Sequence, residues 1–431
     1  MANTYLTRTQ VAGNRQIFTQ SIWFKLTNTA DQVFISSYND ANNYNCFFLE
    51  SGNQVLQVLW KKSGSNAALL NTTRKFRDTS AWYHVVLAVD TTQGTAANRI
   101  KLYVNGVQET SFSTATYPNQ NESIEVNDNN TNQRIGALNT DTFFQGVASY
   151  VAQIDGTQEL PGIFGETDST TGEWKIKTDI TPSVAWGNNG FLILKNGNSL
   201  TDESSNSNNF TLGGGTLTET KDCPDNVFCV LNDLDTTRVL SNGNTTYAGD
   251  ASGTVVKGTL GMLSGKYYAE CKILSAAQNM IGVLSIAQAP TTVFVGASAV
   301  GWGLFGDGTL YNNSSATSNF SNSFSDNDIM GIALDMDNNK LYFSKNGVWQ
   351  NSGDPTSGAT GTGAVSITSG LTMTFSGGRD SSSDTANFNF GNGTFGTTAV
   401  ASAGTNASNN GVFEYDTPTG YTALSTKGLN L

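Results

Sequence analysis

Residues 329–348 read IMGIALDMDNNKLYFSKNGV, and this stretch has the pattern of a three-stranded β-meander. An apolar strand ends at Asp335, the chain reverses at residues 338–339, and a Lys-Leu-Tyr-Phe strand follows. Residues 346–347 are Asn-Gly, which favours a type I′ hairpin turn because both residues accept positive φ. The stretch therefore predicts antiparallel sheet.

The same design occurs in the first half of the chain, where residues 82–107 read WYHVVLAVDTTQGTAANRIKLYVNGV. Here too a strand ends at Asp, a Lys-Leu-Tyr strand follows, and the chain reverses at Asn-Gly. Any two meanders resemble each other to some degree, so chance similarity is the alternative. The shared Lys-Leu-Tyr and Asn-Gly-Val count against chance and predict one β domain in each half.

Composition points to the same fold class. A chain of 431 residues is too long for one hydrophobic core. Only 13% of the residues are charged, about half of the usual ~25%, and Asn, Thr, Ser and Gly take their place, which suits turn-rich β structure. We expect an all-β protein of two tandem antiparallel β-sandwiches.

Charge and hydropathy exclude several classes of partner. The net charge is −12 and no basic patch is present, so we expect no nucleic-acid binding. No apolar run approaches the ~20 residues of a membrane span, so we expect no membrane insertion. The polar start of the sequence predicts no signal peptide. An acidic, weakly charged surface suits neutral partners such as glycans.

Turn-forming and polar residues divide the chain. The stretch that begins at Gly156 is rich in Gly, Ser, Thr and Asn and ends near Asp222. We predict a β-sandwich over residues 1–160, an extended connector over 161–221 that packs on it, and a second β-sandwich over 222–431.

Several stretches resemble known families. Residues 18–24, 82–86, 102–106 and 146–156 resemble the laminin-G-like, concanavalin A-like lectin family. Residues 264–270, 328–331, 341–347, 387–391 and 418–424 resemble the SPRY family. The resemblance implies a concanavalin A-like jelly roll followed by a SPRY-like sandwich. Both families imply loops that bind ligands, and neither implies catalysis.

The tandem, with its connector at residues 164–175, looks like virion proteins of marine tailed bacteriophages. This resemblance implies a protein exposed on the particle surface after assembly in the host cytoplasm, with other virion proteins as partners and a homo-oligomeric state. The expected function is that of a tail fibre or receptor-binding component that recognises host surface glycans. The alternatives are a capsid decoration or head-fibre protein and, third, a glycan-acting enzyme.

Residues that could support catalysis are scarce. His84 is the sole histidine and falls mid-strand beside Trp82, where the pattern indicates a framework role. Glu122 and Glu125 come closest to the paired carboxylates of a glycosidase, but their spacing would place them on opposite faces of a strand. No Gly-x-Ser-x-Gly elbow is present. The sequence therefore predicts a protein that is not an enzyme.

Glycan binding needs a flat aromatic ring and planar amides or carboxylates. Two Asn-rich polar stretches offer both kinds of group. The candidate ligand-binding residues are Tyr38, Asn39, Asp40 and Tyr44 in the first stretch and Asp307, Tyr311 and Asn312 in the second. Packing of the tyrosines and capping of turns by the polar residues are the alternatives.

The laminin-G resemblance also makes calcium a candidate ligand at a rim loop, with Asp40 and Asp128 as its oxygen donors. Turn capping is again the alternative for these two residues. For the four cysteines we expect buried free thiols, with a Cys223–Cys229 disulfide as the other reading.

Overall fold

The computed structural model describes residues 3–180, 184–195, 197–249, 254–276, 278–289, 294–379 and 384–430. The chain divides into two units, Met1–Glu219 (unit 1) and Thr220–Leu431 (unit 2). Helical structure in the described residues is confined to short 3₁₀ turns at Ala96–Asn98, Pro161–Ile163, Asp233–Asp235, Pro355–Thr360 and Gly428–Asn430. The predicted all-β class with antiparallel sheets is confirmed.

Unit 1 consists of two main sheets and a separate hairpin. Its strands are β1 (Tyr5–Thr9), β2 (Ile17–Leu26), β3 (Gln32–Asp40), β4 (Asn43–Glu50), β5 (Val55–Lys62), β6 (Ser65–Lys75), β7 (Trp82–Asp90), β8 (Ile100–Val104), β9 (Val107–Glu109), β10 (Phe112–Thr116), β11 (Asn132–Ile135), β12 (Gly146–Asp155), β13 (Gly165–Thr167), β14 (Trp174–Ile176), β15 (Phe191–Ile193) and β16 (Thr211–Gly214). The eight-stranded sheet has the order β10-β6-β5-β4-β3-β11-β1-β16, and the six-stranded sheet has the order β15-β12-β2-β7-β8-β9.

The core of unit 1 lies between these sheets. Neighbouring strands of the eight-stranded sheet align Leu6, Ile135, Ile35, Phe47 and Val58 in one row, and all five are buried in the core. Because side chains alternate across a strand, the residues one position away in each strand point to the opposite side of the sheet. This alternation decides which residues unit 1 presents on its outer surface.

The predicted connector is built into the sheets of unit 1. Strand β15 pairs with β12 at the edge of the six-stranded sheet, and β16 pairs with β1 at the edge of the eight-stranded sheet. Hairpin β13-β14 lies between these edge strands in the chain. The connector thus supplies one edge strand to each sheet.

A buried arginine ties the first strand to the connector. Arg8 donates hydrogen bonds to the side chain of Gln133 and to the carbonyl of Asn189, both at 2.8 Å. Its guanidinium also lies over the rings of Phe191 and Phe210, at 5.3 and 5.6 Å. Such a cation is stable in the interior only when its N–H groups are paired, so these contacts fix the connector to β1.

Unit 2 also has two main sheets. Its strands are β17 (Leu240–Ser241), β18 (Thr246–Tyr247), β19 (Val256–Lys257), β20 (Lys266–Ser275), β21 (Met280–Ser285), β22 (Gly301–Phe305), β23 (Leu310–Asn312), β24 (Ser315–Thr317), β25 (Ile329–Asp335), β26 (Lys340–Lys345), β27 (Val348–Trp349), β28 (Val365–Ser366), β29 (Met373–Gly377), β30 (Thr385–Asn389), β31 (Thr394–Phe395), β32 (Thr398–Ala399) and β33 (Thr422–Ala423). One sheet has the order β17-β18-β30-β20-β25-β26-β27, with β28 on β26 and β33 on β20, and the other has the order β19-β29-β21-β22-β23-β24.

Both predicted meanders are present, as β7-β8-β9 and β25-β26-β27. Their Asn-Gly turns have positive φ at both residues, 47° and 78° at 105–106 and 47° and 79° at 346–347. In each turn the Asn side chain accepts a hydrogen bond from the first strand of its meander, from His84 N–H or Ile329 N–H at 2.8 Å. The two turns are therefore alike in sequence, backbone conformation and hydrogen bonding.

The four cysteines are free thiols, and Cys223 is not bonded to Cys229. Cys46, Cys229 and Cys271 are buried, as small apolar residues are, while Cys223 is half-buried. No helix among the described residues has the length and hydropathy needed to cross a bilayer.

Candidate functional site

The two sheets of unit 1 differ in what covers their outer sides. On the six-stranded sheet, outward side chains such as Val86 and Tyr103 pack against Phe164, Ile180 and Trp186 from the connector. This outer side is therefore closed by the chain itself, and we looked for a ligand surface on the other sheet.

The outer side of the eight-stranded sheet carries two rows of side chains, which we call the open face. Strand pairing aligns one row as Lys61, Tyr44, Tyr38, Asn132 and Thr9, and the next as Leu59, Cys46, Ser36, Arg134 and Thr7. These rows alternate with the core row and so point outward. In the first row Asn132 and Thr9 are exposed, while Lys61 and both tyrosines are half-buried.

Tyr38 and Tyr44 form a cross-strand pair at the end of a hairpin. The first predicted polar stretch is not a loop, because β3 continues to Asp40 and β4 begins at Asn43. The two rings lie with centroids 5.9 Å apart and planes 24° apart. Burial raises the pKa of the Tyr44 hydroxyl, so this group remains a neutral donor. Two adjacent ring faces provide an apolar platform with polar hydroxyl ends.

Asp40 closes the turn of this hairpin. Its carboxylate accepts hydrogen bonds from the N–H of Asn42 at 2.7 Å and from the side chain of Asn43 at 3.0 Å. These bonds lower the pKa of the Asp40 carboxyl, the Asn43 side chain having the larger effect. Asn39 is exposed beside it. The structure thus gives Asp40 a turn-capping position.

Arg134 lies in the second row of the open face, and the sequence analysis did not single it out. Only 8% of its surface is exposed, and its guanidinium carbon lies 5.8 Å from the centre of the Tyr38 ring. Its Nε and Nη1 groups are buried, and the described residues offer them no acceptor. The position of Arg134 follows from the pairing of β11 with β3, which local sequence does not reveal.

The carboxylates proposed for calcium lie next to an arginine. Arg15 contacts Asp128 at 2.9 Å and Glu125 at 3.6 Å, and its Nε donates to the carbonyl of Ile124 at 2.6 Å. Burial raises the pKa of the Glu125 carboxyl, with further increases from nearby Asp128 and Asp40, while Arg15 lowers it. Because Arg15 already neutralises these carboxylates, the residues present do not fit a calcium ion.

The spacing argument for Glu122 and Glu125 was wrong in one respect, since both lie in the loop between β10 and β11 and not on a strand. Pro118 and several Asn residues interrupt strand structure here. Glu122 is paired with Lys62, and Glu125 with Arg15. Among the described residues, no group of three or more His, Cys, Asp or Glu side chains could hold a metal ion.

The second predicted stretch belongs to unit 2 and uses its side chains differently. Tyr311 and Asn312 lie in strand β23, and the Tyr311 ring packs edge-on against Phe294 and Phe305 at 5.7 and 6.4 Å. The Asn312 amide donates to the carbonyl of Gly301 at 2.8 Å. Asp307 is exposed and accepts from the N–H of Thr309 at 2.8 Å. The three predicted residues here take part in packing and turn formation.

His84 is fully buried between two tryptophan rings. Its ring stacks 4.5 Å from Trp23 and 5.9 Å from Trp174, each with planes 15° apart. Trp174 Nε1–H donates to Nδ1 at 3.0 Å, so Nε2 carries the proton and donates to the Ser21 hydroxyl at 2.9 Å. Burial lowers the pKa of His84 to about 3. Both ring nitrogens are therefore engaged within the protein framework.

Comparison with known proteins divides the chain as the two units do. The profile of the family described as the concanavalin A-like lectin/glucanases superfamily, a laminin G domain, matches residues 2–156. The profile described as the SPRY domain matches residues 266–392. No curated protein matches the chain.

Solved structures show weak similarity to parts of the chain. The SPRY domain of human HERC1 is 17% identical, with a TM-score of 0.29, and the match covers 37% of this chain and 96% of that one. The TRIM65 PSpry domain is 13% identical, with a TM-score of 0.31, over 37% and 88% of the two chains. The heptameric SAP-like pentraxin from Limulus polyphemus is 15% identical, with a TM-score of 0.28, over 35% and 70%.

Proposed function

We propose that this chain, a concanavalin A-like domain followed by a SPRY domain, is a non-catalytic protein of a phage virion surface, a tail fibre or receptor-binding component that recognises host surface glycans. The observation that carries the binding part is the tyrosine pair on the open face. The resemblance of the tandem and its connector to virion proteins of tailed phages supports the location.

The open face has the chemistry that a sugar requires. Tyr38 and Tyr44 offer ring faces on which the apolar side of a pyranose can lie. Asn132 and Thr9 extend the same row with an exposed amide and an exposed hydroxyl that can bond sugar hydroxyls. An apolar platform bordered by a few oriented polar groups is typical of small-ligand sites.

The non-catalytic part rests on how the titratable groups are used. A general base needs a pKa near the working pH and a free lone pair, and His84 has neither, because burial and its two hydrogen bonds keep it neutral inside the sheet packing. Glu122 and Glu125 are neutralised by Lys62 and Arg15. These pairings support binding without turnover.

We predict that Tyr38→Ala and Tyr44→Ala each weaken glycan binding by about tenfold or more, since a lost stacking contact is worth on the order of 1 kcal/mol or more and leaves the polar contacts misplaced. Binding to a glycan array and then titration with the best oligosaccharide would measure the loss.

Tyr311→Ala is the matched control, because it makes the same chemical change in the other predicted stretch, where the ring packs against Phe294 and Phe305. We expect it to lower the melting temperature of unit 2 and to leave glycan binding intact. Loss of binding with Tyr311→Ala but not with Tyr38→Ala would move the site to unit 2.

The virion location has its own test. We expect electron microscopy of purified particles, with an antibody against this chain, to label the tail. Label over the whole capsid surface would instead favour the alternative of a decoration or head-fibre protein, and particles without label would refute the virion proposal.

A further inference from the structure

Arg134 differs from the other arginines buried among the described residues. Arg8 has acceptors in Gln133 and Asn189, and Arg238 has acceptors in Asp384 and in backbone carbonyls. Arg134 is similarly buried, yet its Nε and Nη1 groups have no acceptor in the described chain. A buried cation without acceptors destabilises the fold, so its presence on a ligand-facing surface requires an explanation.

The surroundings of Arg134 are suited to an anion. Its guanidinium lies over the Tyr38 ring, and the row beside it ends in the half-buried cation Lys61. The exposed carboxylate of Asp141, close enough to raise the pKa of Tyr44 slightly, marks the far border. Within the two rows themselves, the charged side chains are both positive. This local charge contrasts with the chain's net charge of −12.

We propose that the open face binds a saccharide that carries a carboxylate, with Arg134 as the residue that pairs with it. The inference rests on the proposed glycan-binding function and names the class of its ligand. The sugar ring lies on Tyr38 and Tyr44, and its carboxylate accepts hydrogen bonds from the guanidinium of Arg134. Charge-assisted bonds of this kind are about twice as strong as neutral ones, so the carboxylate dominates selectivity.

A carboxylate suits this position because the site is shallow and half-apolar. The guanidinium is planar and lies near an aromatic ring, where a planar two-oxygen anion can meet it while the attached sugar ring stays on the tyrosines. The ammonium of Lys61, at the other end of the row, then provides long-range attraction. An acidic sugar satisfies the orphaned N–H groups and the aromatic platform together.

The test compares each acidic oligosaccharide with its own methyl ester, which keeps the shape and removes the charge. Galacturonate, glucuronate, mannuronate and sialic acid oligomers would be titrated against the full chain. We expect at least one acid to bind about tenfold or more tightly than its ester, and Arg134→Met to abolish that preference. Arg77→Met, which removes an exposed arginine in unit 1, is the control and leaves the preference intact.

Thermal melting separates a ligand-binding role from a structural one. If Arg134 serves a ligand, Arg134→Met removes an unpaired buried cation, and the melting temperature stays equal or rises. A lower melting temperature together with an unchanged preference for the acid would overturn the inference.

The other outcomes are equally decisive. Equal binding of acid and ester would leave the glycan-binding function standing and refute the role of Arg134. Binding of sulfated glycans alone would refute the carboxylate. Absence of binding to the acids, their esters and the neutral glycans of the array would refute both the inference and the proposed function.

Discussion

Arg238→Met will destabilise unit 2 by about 3–5 kcal/mol, the usual cost of removing one partner from a buried ion pair. Arg238 and Asp384 have fully buried side chains joined by two parallel contacts of 2.9 Å. Without the arginine, the Asp384 carboxylate remains in the interior with no cation. For a unit of about 200 residues, this loss lowers the melting temperature by about 10 °C.

The arginine also holds several strands and turns of unit 2 together. Its N–H groups donate to the carbonyls of Thr254, Ala248 and Arg379, and its guanidinium lies 5.2 Å from the centre of the Tyr247 ring. Methionine fills much of the volume but leaves these carbonyls without donors. The predicted loss therefore comes from a stranded charge and from unpaired backbone groups.

The double variant Arg238→Met/Asp384→Leu is the matched control. Replacing both charges by apolar groups removes the stranded carboxylate, so we expect it to recover a large part of the stability lost in the single variant. Calorimetry of the full chain would measure the transitions. A single variant as stable as the parent protein would show that the pair contributes nothing.

The second large effect is a pH response of opposite sign in the two units. Burial lowers the pKa of His84 to about 3 from 6.5. Between these values the unfolded chain binds a proton that the folded chain does not. The contribution of His84 is therefore complete above pH 6.5 and is lost as the pH falls toward 3, by about 1.4 kcal/mol per pH unit. At about pH 5 unit 1 has lost about 2 kcal/mol.

Glu270 in unit 2 shifts in the other direction. Its carboxyl accepts hydrogen bonds from the N–H groups of Glu414 and Tyr415, both at 2.8 Å, but burial dominates and raises its pKa to about 7 from 4.5. The folded state retains a proton that the unfolded chain releases in this interval. Its contribution is complete below pH 4.5 and lost as the pH rises through 7, so unit 2 gains about 2–3 kcal/mol between about pH 7.5 and 5.

The measurement is urea unfolding at about pH 7.5 and about pH 5, followed by hydrogen–deuterium exchange so that peptides report on each unit separately. His84→Gln should reduce the pH dependence of unit 1, and Glu270→Gln that of unit 2, each without effect on the other. Parent and variant curves with the same pH dependence would show that these residues do not titrate as described.

The sheets were predictable from the sequence wherever the signal is local. Asn-Gly turns and Lys-Leu-Tyr strands lie within a few residues of each other, so both meanders could be placed before the structure was known. The tyrosine pair could be proposed for the same reason, since Tyr38 and Tyr44 face each other across a two-residue turn. Local chemistry did not distinguish a hairpin from a polar loop.

The rest of the candidate site depends on pairing between distant strands. Arg134 reaches Tyr38 because β11 inserts between β3 and β1, almost one hundred residues away in the chain. Trp174 reaches His84 across a similar distance when the connector closes over the six-stranded sheet. No periodicity within either segment specifies its partner, because strand order is decided by the packing of the whole unit.

The edge strands β15 and β16 determine what can be transplanted as one module. The family profile ends at residue 156, but each main sheet of unit 1 takes an edge strand from residues beyond it. A graft cut at that point would expose the unpaired backbone of β12 and β1, which are ready templates for cross-chain strand exchange. A glycan-recognition cassette moved to another protein therefore needs residues 1–219, so the genetic unit of exchange is larger than the recognisable homology.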